Sequence, residues 1–242
     1  MRGTGRVLAI VLVGGLGAAV PAAAKSVDLA LVLAVDVSGS VNNERFELQR
    51  RGYAEAFASR EVMEAIAAGE NHAIAVTLVE WSGAGHQRQI VGWTLVESAA
   101  SAESFGSAIA EASRAFSDWT SISGAIDYSV ALFAEAQVDA MRRVIDISGD
   151  GINNNGRSVT EARDAAVDAG ITLNGLPILT EYPDLDAYYR DNVIGGPGAF
   201  ALAASNFNSF GAAILGKLVR EIAGTTGPTT ITLAASPSVR SP

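Results

Sequence analysis

The sequence contains no cysteine, and it is also poor in histidine and lysine. Without cysteine the chain can form no disulfide, offers no thiol nucleophile and has no thiolate for a zinc or iron–sulfur centre. His72 and His86 are the only histidines, which leaves little material for a histidine-ligated zinc site or a Ser–His–Asp triad. The only lysines are Lys25 and Lys217. Stability must therefore come from a hydrophobic core, and 49% hydrophobic residues supply the side chains for one.

Positive charge is scarce as well, with 17 Lys and Arg residues against 26 Asp and Glu residues and a net charge of −9. No segment gathers basic residues into a stripe. A chain this acidic repels nucleic acid and anionic membrane surfaces at long range. We therefore expect no nucleic-acid partner.

The first 24 residues have the three parts of a secretory signal peptide. Arg2 and Arg6 form a short basic region, residues 7–20 are apolar, and Pro21 to Ala24 provide small side chains for cleavage. The apolar part is too short and too rich in glycine for a membrane span, and the arginines are not adjacent as in a twin-arginine signal. We predict a Sec-type signal cleaved after Ala24, with an uncleaved N-terminal anchor as the alternative.

Cleavage would remove Arg2 and Arg6 and change the net charge from −9 to −11. The mature protein would be periplasmic or secreted and would have no membrane span. At the other end, residues 225–242 are rich in Thr, Pro, Ser and Ala, which predicts a disordered tail.

Between these ends, residues 25–224 alternate between apolar strands and amphipathic helices, as in a single α/β domain. The segments that predict parallel strands are 30–36, 72–81, 144–148, 171–178 and 199–203. Residues 87–96 alternate enough to predict an antiparallel edge strand. We therefore expect a doubly wound, mostly parallel, Rossmann-like sheet with helices on both faces.

The first of these strands ends in a group of oxygen-bearing side chains. An unbroken apolar run from residue 30 to 35 is followed by Asp36, Ser38 and Ser40. The carboxyl end of such a strand opens into the crevice where α/β sheets bind ligands. Carboxylate and hydroxyl oxygens suit a hard cation such as Mg²⁺ or Mn²⁺.

Two distant segments supply further oxygen ligands at the same predicted edge. Thr120 lies in the loop before a predicted helix, and Asp150 follows the apolar strand that begins at Val144. Since the strands are parallel, their carboxyl ends meet at one edge of the sheet. The predicted metal site therefore consists of Asp36, Ser38, Ser40, Thr120 and Asp150, with waters completing the octahedron.

This set, in this order, resembles the metal-ion-dependent adhesion site of von Willebrand factor A domains. The resemblance covers roughly residues 27–224 and is carried by Asp36-x-Ser38-x-Ser40, Thr120 in Thr-Ser-Ile-Ser-Gly, and Asp150 in Ile-Ser-Gly-Asp-Gly. It implies that the three hydroxyls touch the cation directly or nearly so, while the two carboxylates hold its waters. It also implies a von Willebrand factor A-like domain over residues 25–224.

One part of the third segment departs from the family's usual Thr-Asp-Gly. Here the chain has Ser148-Gly149-Asp150-Gly151, with an extra glycine between the hydroxyl and the acid. The run from Ser148 to Asn154 is similar to an uncharacterised secreted branch of the superfamily in bacteria. Asp146 lies within the preceding apolar strand, and we expect it to accept hydrogen bonds from neighbouring loop groups or to act as a secondary ligand.

Three more residues are candidates for the face that meets a ligand. Asn153 and Asn154 follow the third segment, and Trp119 directly precedes Thr120. The alternatives are an ordinary Asn/Gly turn for the asparagines and a core or rim aromatic for the tryptophan.

The sequence therefore predicts an exported, divalent-metal-dependent binding domain and not an enzyme. Neutral hydroxyl ligands leave positive charge on the cation, so a protein or other anionic ligand would complete its coordination. One alternative is a metal-dependent hydrolase or phosphatase with Asp36 as nucleophile, although no catalytic motif accompanies this residue. A periplasmic solute-binding protein is the other, although those proteins usually have two lobes.

Overall fold

The structure, a computed structural model, describes residues 24–224. The predicted signal peptide (residues 1–24, of which only Ala24 is described) and the predicted disordered tail (225–242) lie outside that range. In the described part of the chain, no helix is both long enough and apolar enough to cross a bilayer.

The centre of the molecule is a five-stranded sheet in the order β4-β3-β2-β6-β7. Its strands are β2 (Leu29–Asp36), β3 (Ile74–Trp81), β4 (Gln87–Val96), β6 (Arg143–Gly149) and β7 (Thr172–Pro177). Neighbouring strands run parallel except β4, which pairs antiparallel with β3 at one edge. Two short strands, β1 (Lys25–Val27) and β5 (Val138–Ala140), form a separate parallel pair.

Helices cover both faces of the sheet, which confirms the predicted doubly wound architecture. They are α1 (Asn43–Phe57), α2 (Arg60–Ala67), α3 (Ala99–Glu111), α4 (Ile122–Leu132), α5 (Val159–Asp168), α6 (Leu185–Tyr188) and α7 (Phe210–Ala223). Leu31 and Leu33 of β2 belong to the core formed with α1, α2, α3 and α7. Val32 and Ala34 belong to the core formed with α4, α5 and α6. The strand is apolar throughout because both of its faces are buried.

The predicted strand at 199–203 is wrong, because that segment pairs with β7 only through isolated bridges. Ala201 bridges Gly175, and Ala204 bridges Ile178. The backbone N–H of Phe200 donates to the Asn174 side chain at 3.0 Å, so it is not available for a regular ladder. Gly196 and Gly198, at φ +92° and +71°, also turn the chain just before the segment.

The register of the central strands places the predicted ligands side by side. β2 ends at Asp36, and its neighbour β6 ends at Gly149, one residue before Asp150. Val35 is paired with Ser148, so the two strands leave the sheet at the same level. The two carboxylates of the predicted site therefore lie at one edge of the sheet.

Candidate metal centre

The loop after β2 is a tight turn in which the side chains of the first motif face one another. The Ser38 backbone N–H donates to Asp36 Oδ1 at 2.7 Å, and Ser38 Oγ lies 3.2 Å from Ser40 Oγ. Arg114 fixes the loop from outside by donating to the carbonyls of Val37 and Ser38 at 2.6 and 2.8 Å. Asp36 and Ser38 are buried, whereas Ser40 is exposed.

The two distant segments reach this loop, as the sequence predicts. Ser40 Oγ donates to Asp150 Oδ1 at 2.6 Å. The loop that carries Thr120 is held against the first motif by a backbone hydrogen bond of 2.8 Å from Gly39 to Asp118. Thr120 Oγ1 also lies 3.6 Å from the position that a Cβ would take at Gly151.

The buried carboxylates leave negative charge at this edge, which Arg45, 3.5 Å from Asp150 Oδ2, offsets only in part. Burial and the nearby Asp150 raise the pKa of Asp36 to about 7. Burial also raises the pKa of Asp150. Asp36 Oδ2 is buried and accepts no hydrogen bond from any residue that the structure describes. A divalent cation would supply the missing positive charge.

The donor set also fits the chemistry of a hard cation. It consists of two carboxylates and three hydroxyls and contains no nitrogen or sulfur ligand. Within residues 24–224 there is no cluster of three or more His, Cys, Asp and Glu side chains suited to a metal ion. Any cation here would therefore depend on Ser38, Ser40 and Thr120 as well as on the acids.

The asparagines that follow Asp150 fasten its loop to two neighbouring segments, the one from Thr120 to Ser123 and the turn at Ala84. Asn153 Oδ1 accepts from the Ser123 backbone at 3.0 Å, and Asn154 Oδ1 accepts from the Thr120 backbone at 3.0 Å. Asn155 Oδ1 accepts from the Ala84 backbone at 2.6 Å. The amide of Asn153 is thus engaged with protein, whereas Asn154 also lines the cavity beside the site.

That cavity, of about 450 Å³, opens next to Ser40 and Thr120. Trp119, Ile152 and Tyr182 line it and are 63%, 38% and 46% exposed. Only one other large hydrophobic residue in the described range, Met141, is as exposed. Trp119 is therefore a rim aromatic beside the predicted metal, in the position that the sequence analysis assigns to a ligand face.

Arg45 and Glu181 are site residues that the sequence analysis misses. Arg45 Nη1 donates to the Ser40 carbonyl at 2.8 Å and lies 3.5 Å from Asp150 Oδ2. The same nitrogen lies 2.7 Å from Glu181 Oε1, and Glu181 lines the cavity. Arg45 follows the first motif by only five residues, which is a usable sequence signal. Glu181 reaches the site only through the tertiary fold.

Asp146 contradicts both expectations for it, because it neither caps a loop nor approaches the metal site. Asp146 Oδ1 lies 2.6 Å from Lys217 Nζ of α7, and both side chains are fully buried. Lys217 also pairs with Glu221, whose Oε1 accepts from Asn174 at 2.9 Å. Asp146 is thus part of a buried ion cluster that joins the sheet to α7.

Solved structures with the same fold include adhesion and matrix proteins. Proximal thread matrix protein 1 from the mussel byssus has 14% identity and a TM-score of 0.61, over 83% of this chain and 47% of that one. A second structure of the mussel protein, with a zinc-occupied MIDAS motif, has 15% identity and a TM-score of 0.59 over the same shares. The pilus adhesin SpaC from Lactobacillus rhamnosus GG has 14% identity and a TM-score of 0.60, over 81% and 31%.

A comparison that covers both chains more evenly is the vWF domain of the type V pili tip protein Mfa5 from Porphyromonas gingivalis. It has 10% identity and a TM-score of 0.56, over 81% of this chain and 95% of that one. The present chain spans less than half the length of the mussel protein and about a third of SpaC.

At the sequence level, no curated protein matches the chain. The family model described as "Protein of unknown function (DUF1194)" matches residues 26–226, which is most of the sequence. The chain therefore belongs to the DUF1194 family, and its fold is that of a von Willebrand factor A domain.

Proposed function

We propose that this protein is an exported binding domain that holds a divalent cation, Mg²⁺ or Mn²⁺, and uses it to bind an acidic group on a partner. The observation that carries the proposal is the convergence of three separate loops on two buried carboxylates, Asp36 and Asp150, whose negative charge Arg45 offsets only in part. Asp36 Oδ2 is left without a partner among the described residues. The cation that fits would be held by these two acids together with Ser38, Ser40 and Thr120.

The bound cation would act as a Lewis acid toward an anionic oxygen of the partner. Ser38, Ser40 and Thr120 are neutral, so they leave part of its positive charge available. The asparagines that follow Asp150 hold the surrounding loops, whereas Arg45 lies beside the Asp150 carboxylate and competes with the cation for it. The role of the chain is to keep five oxygen atoms in position and to leave one side of the site open.

The cavity beside the site would receive the part of the partner that surrounds its acidic group. Trp119, Ile152 and Tyr182 offer apolar surface there. Exposed aromatic side chains of this kind commonly anchor protein interfaces. The similar structures include a byssus matrix protein, a pilus adhesin and a domain of a pilus tip protein, which supports a role in adhesion and hence an extracellular or periplasmic location.

Metal binding is tested by isothermal titration of Mg²⁺ and Mn²⁺ into the wild type, Asp36→Ala and Asp127→Ala. Asp127 is an exposed acid paired with Arg157, so its loss controls for the removal of one carboxylate. We expect saturable heats with the wild type and Asp127→Ala and none with Asp36→Ala. Negligible heats with all three proteins would overturn the proposal.

Partner binding is tested by a pull-down from the native cell envelope with and without EDTA. We expect capture that needs the metal and is reduced by Trp119→Ala. Met141→Ala removes an equally exposed side chain at the other end of β6 and serves as the control. Capture that persists in EDTA would favour a metal-independent binding protein. Turnover of a phosphoester or ester that is lost in Asp36→Asn would favour an enzyme.

A further inference from the structure

A second cavity, of about 540 Å³, opens at the edge of the sheet opposite the proposed metal site. Arg143 and Thr172, the first residues of β6 and β7, line it, whereas Asp36 and Asp150 lie at or after the last residues of their strands. The apolar side chains that line it are those of Met141, Val144, Val167, Pro197 and Phe200. The proposed metal site makes no use of this cavity.

Three arginines line the cavity, and each already contacts the protein. Arg142 donates to two backbone carbonyls at the carboxyl end of α7, at 2.8 Å each. Arg143 donates to the Ala169 carbonyl, just after α5, at 2.8 Å. The guanidinium of Arg220 lies over the Phe200 ring, 3.8 Å from its centroid. These cations therefore serve first to hold helix ends and one ring in place.

Two buried polar atoms of residues that line the cavity have no hydrogen-bond partner between residues 24 and 224. One is a donor, Arg220 Nε, and the other is an acceptor, Glu221 Oε2. Glu221 is 2% exposed, and its Oε1 accepts from Lys217 and Asn174. A buried donor or acceptor without a partner is costly. An occupant of the cavity that carries both kinds of group would satisfy these atoms.

The charges around the cavity favour a neutral occupant. An anionic ligand would approach the Glu221 carboxylate, and a cationic ligand would approach the three arginines. A neutral peptide avoids both kinds of repulsion. Its backbone offers N–H and C=O groups, and its apolar side chains can cover the apolar walls. A neutral peptide segment is therefore the class of occupant that fits.

The chain carries such a segment directly beside the cavity. Gly224, the last residue that the structure describes, lines the cavity. Residues 225–235 contain no charged side chain, and their large apolar residues are Ile231 and Leu233. The Gly227-Pro228 pair before them is typical of a turn, which would direct the chain back toward the cavity. A segment tethered at the rim of its site binds at a high effective concentration.

We propose that residues 229–233 bind in this cavity, with Ile231 and Leu233 against its apolar walls and backbone groups paired with Arg220 and Glu221. Alternate side chains of an extended segment share one side, so the two apolar residues can enter together. The composition of the tail predicts disorder for the tail alone, and the cavity would supply the apolar surface that it lacks. This binding does not depend on the proposed function, because the five proposed metal ligands do not line the cavity.

Amide hydrogen exchange of the full chain tests the proposal. We expect the amides of residues 229–233 to exchange at least about tenfold more slowly in the wild type than in Ile231→Asp, which puts a charge against the apolar walls. Val239→Asp adds the same charge to the tail beyond the segment, and it is expected to leave the rates within about twofold of the wild type. Wild-type amides that exchange as fast as those of Ile231→Asp would overturn the proposal.

A pair of variants in the folded domain checks that the protection arises in this cavity. Val167→Ser removes an apolar side chain of α5 from the cavity wall. Val219→Ser makes the same change at a partly buried valine of α7 that packs against the core on the other face of the sheet. We expect the protection of residues 229–233 to be lost in Val167→Ser and kept in Val219→Ser. Equal protection in the two variants would overturn the proposal.

Because the chain has no cysteine, an engineered cysteine pair gives a direct test of proximity. Val167→Cys is combined with Leu233→Cys in the full chain, and the disulfide formed in dilute solution is mapped by mass spectrometry. The control combines Val167→Cys with Val239→Cys, which is expected to form a disulfide about tenfold more slowly. A covalent dimer would place the tail of a second copy in the cavity. That result, equal rates for the two pairs, or no disulfide would overturn the proposal.

Discussion

At the scale of single residues, Arg45 places a fixed positive charge beside a carboxylate that the proposed cation also needs. Its guanidinium lies 3.5 Å from Asp150 and 2.7 Å from Glu181. In the metal-free protein this charge offsets part of the repulsion between the two acids of the site. With a cation bound, the same charge repels the cation. Arg45 therefore favours the metal-free state.

We predict that Arg45→Gln lowers the stability of the metal-free protein and tightens its binding of Mg²⁺. The added Mg²⁺ would then raise the melting temperature of Arg45→Gln by more than it raises that of the wild type. Thermal unfolding in EDTA and in Mg²⁺ measures both effects. Arg157→Gln, which breaks an exposed pair with Asp127, is the control. Equal gains in Arg45→Gln and the wild type would contradict this role.

The convergence of the five proposed ligands could be predicted from the sequence because each lies at or just after the end of an apolar strand or just before a helix. Arg45 could have been found by its closeness to Ser40 in the chain. Glu181 could not, since it lies in a loop whose path depends on the whole fold. The partner of Asp146 depends on how α7 packs against β6, and no local pattern fixes that.

At the scale of elements, α7 is joined to the sheet by charge as well as by apolar packing. Lys217 points into the core from α7 and pairs with Asp146 of β6 and with Glu221 one turn further on. All three side chains are at most 2% exposed. Removing the one cation would leave two buried carboxylates without their counter-charge.

Lys217→Met is predicted to destabilise the protein by about 3–5 kcal/mol, as expected when one member of a buried ion pair is lost. Urea unfolding measures the change. Lys25→Met provides a matched control, because Lys25 is the other lysine of the chain and pairs with Glu97 on the surface. That variant is predicted to change stability by less than about 1 kcal/mol. Similar losses of stability in Lys217→Met and Lys25→Met would show that the buried ion cluster contributes no more than a surface ion pair.

The ion cluster also predicts how stability depends on pH in the absence of metal. Burial and the nearby Glu221 raise the pKa of Asp146 to about 7, above the value of 3.8 expected for the unfolded chain. The folded state therefore binds more protons between these two values, and stability falls as the pH rises from about 4 to about 7. Asp146→Asn is predicted to flatten this slope in EDTA. An unchanged slope in that variant would assign the effect to other buried acids, such as Asp36.

At the scale of the elements, sequence patterns predicted all five strands of the central sheet and failed for the segment beside β7. β2 is buried on both faces, so its composition is apolar except for Asp36 at its end. The segment at 199–203 is apolar as well, but its pairing is decided by Asn174 and by the turns at Gly196 and Gly198. The composition of this segment gives no sign that the backbone N–H of Phe200 is hydrogen-bonded to the side chain of Asn174.

At the scale of the whole molecule, the three loops of the proposed metal site belong to segments far apart in the chain. Unfolding would separate Asp36, Thr120 and Asp150, so a cation that needs all three binds only the folded protein. Metal binding must then raise global stability by mass action.

We predict that Mg²⁺ at 100 times its dissociation constant stabilises the protein by about 2.7 kcal/mol. For a domain of this size, the melting temperature would rise by about 5–10 °C. Differential scanning calorimetry with Mg²⁺ and then with excess EDTA measures the shift and its reversal. Asp36→Ala is predicted to show neither. A rise of the same size in Asp36→Ala would place the stabilising cation elsewhere.

The loop after Asp150 is held by three asparagine side chains, those of Asn153, Asn154 and Asn155, which accept hydrogen bonds from the Ser123, Thr120 and Ala84 backbones. The rim of the cavity is therefore rigid before a partner binds. A rigid rim loses little conformational entropy on binding, so even a small interface can give useful affinity. Asn155 does not line the cavity, but loss of its hydrogen bond to the Ala84 backbone would make the loop more mobile in the free protein. More conformational entropy would then be lost on binding, and the complex would dissociate sooner. The affinity of this surface for a partner would then depend as much on the rigidity of the loop after Asp150 as on the residues that contact the partner.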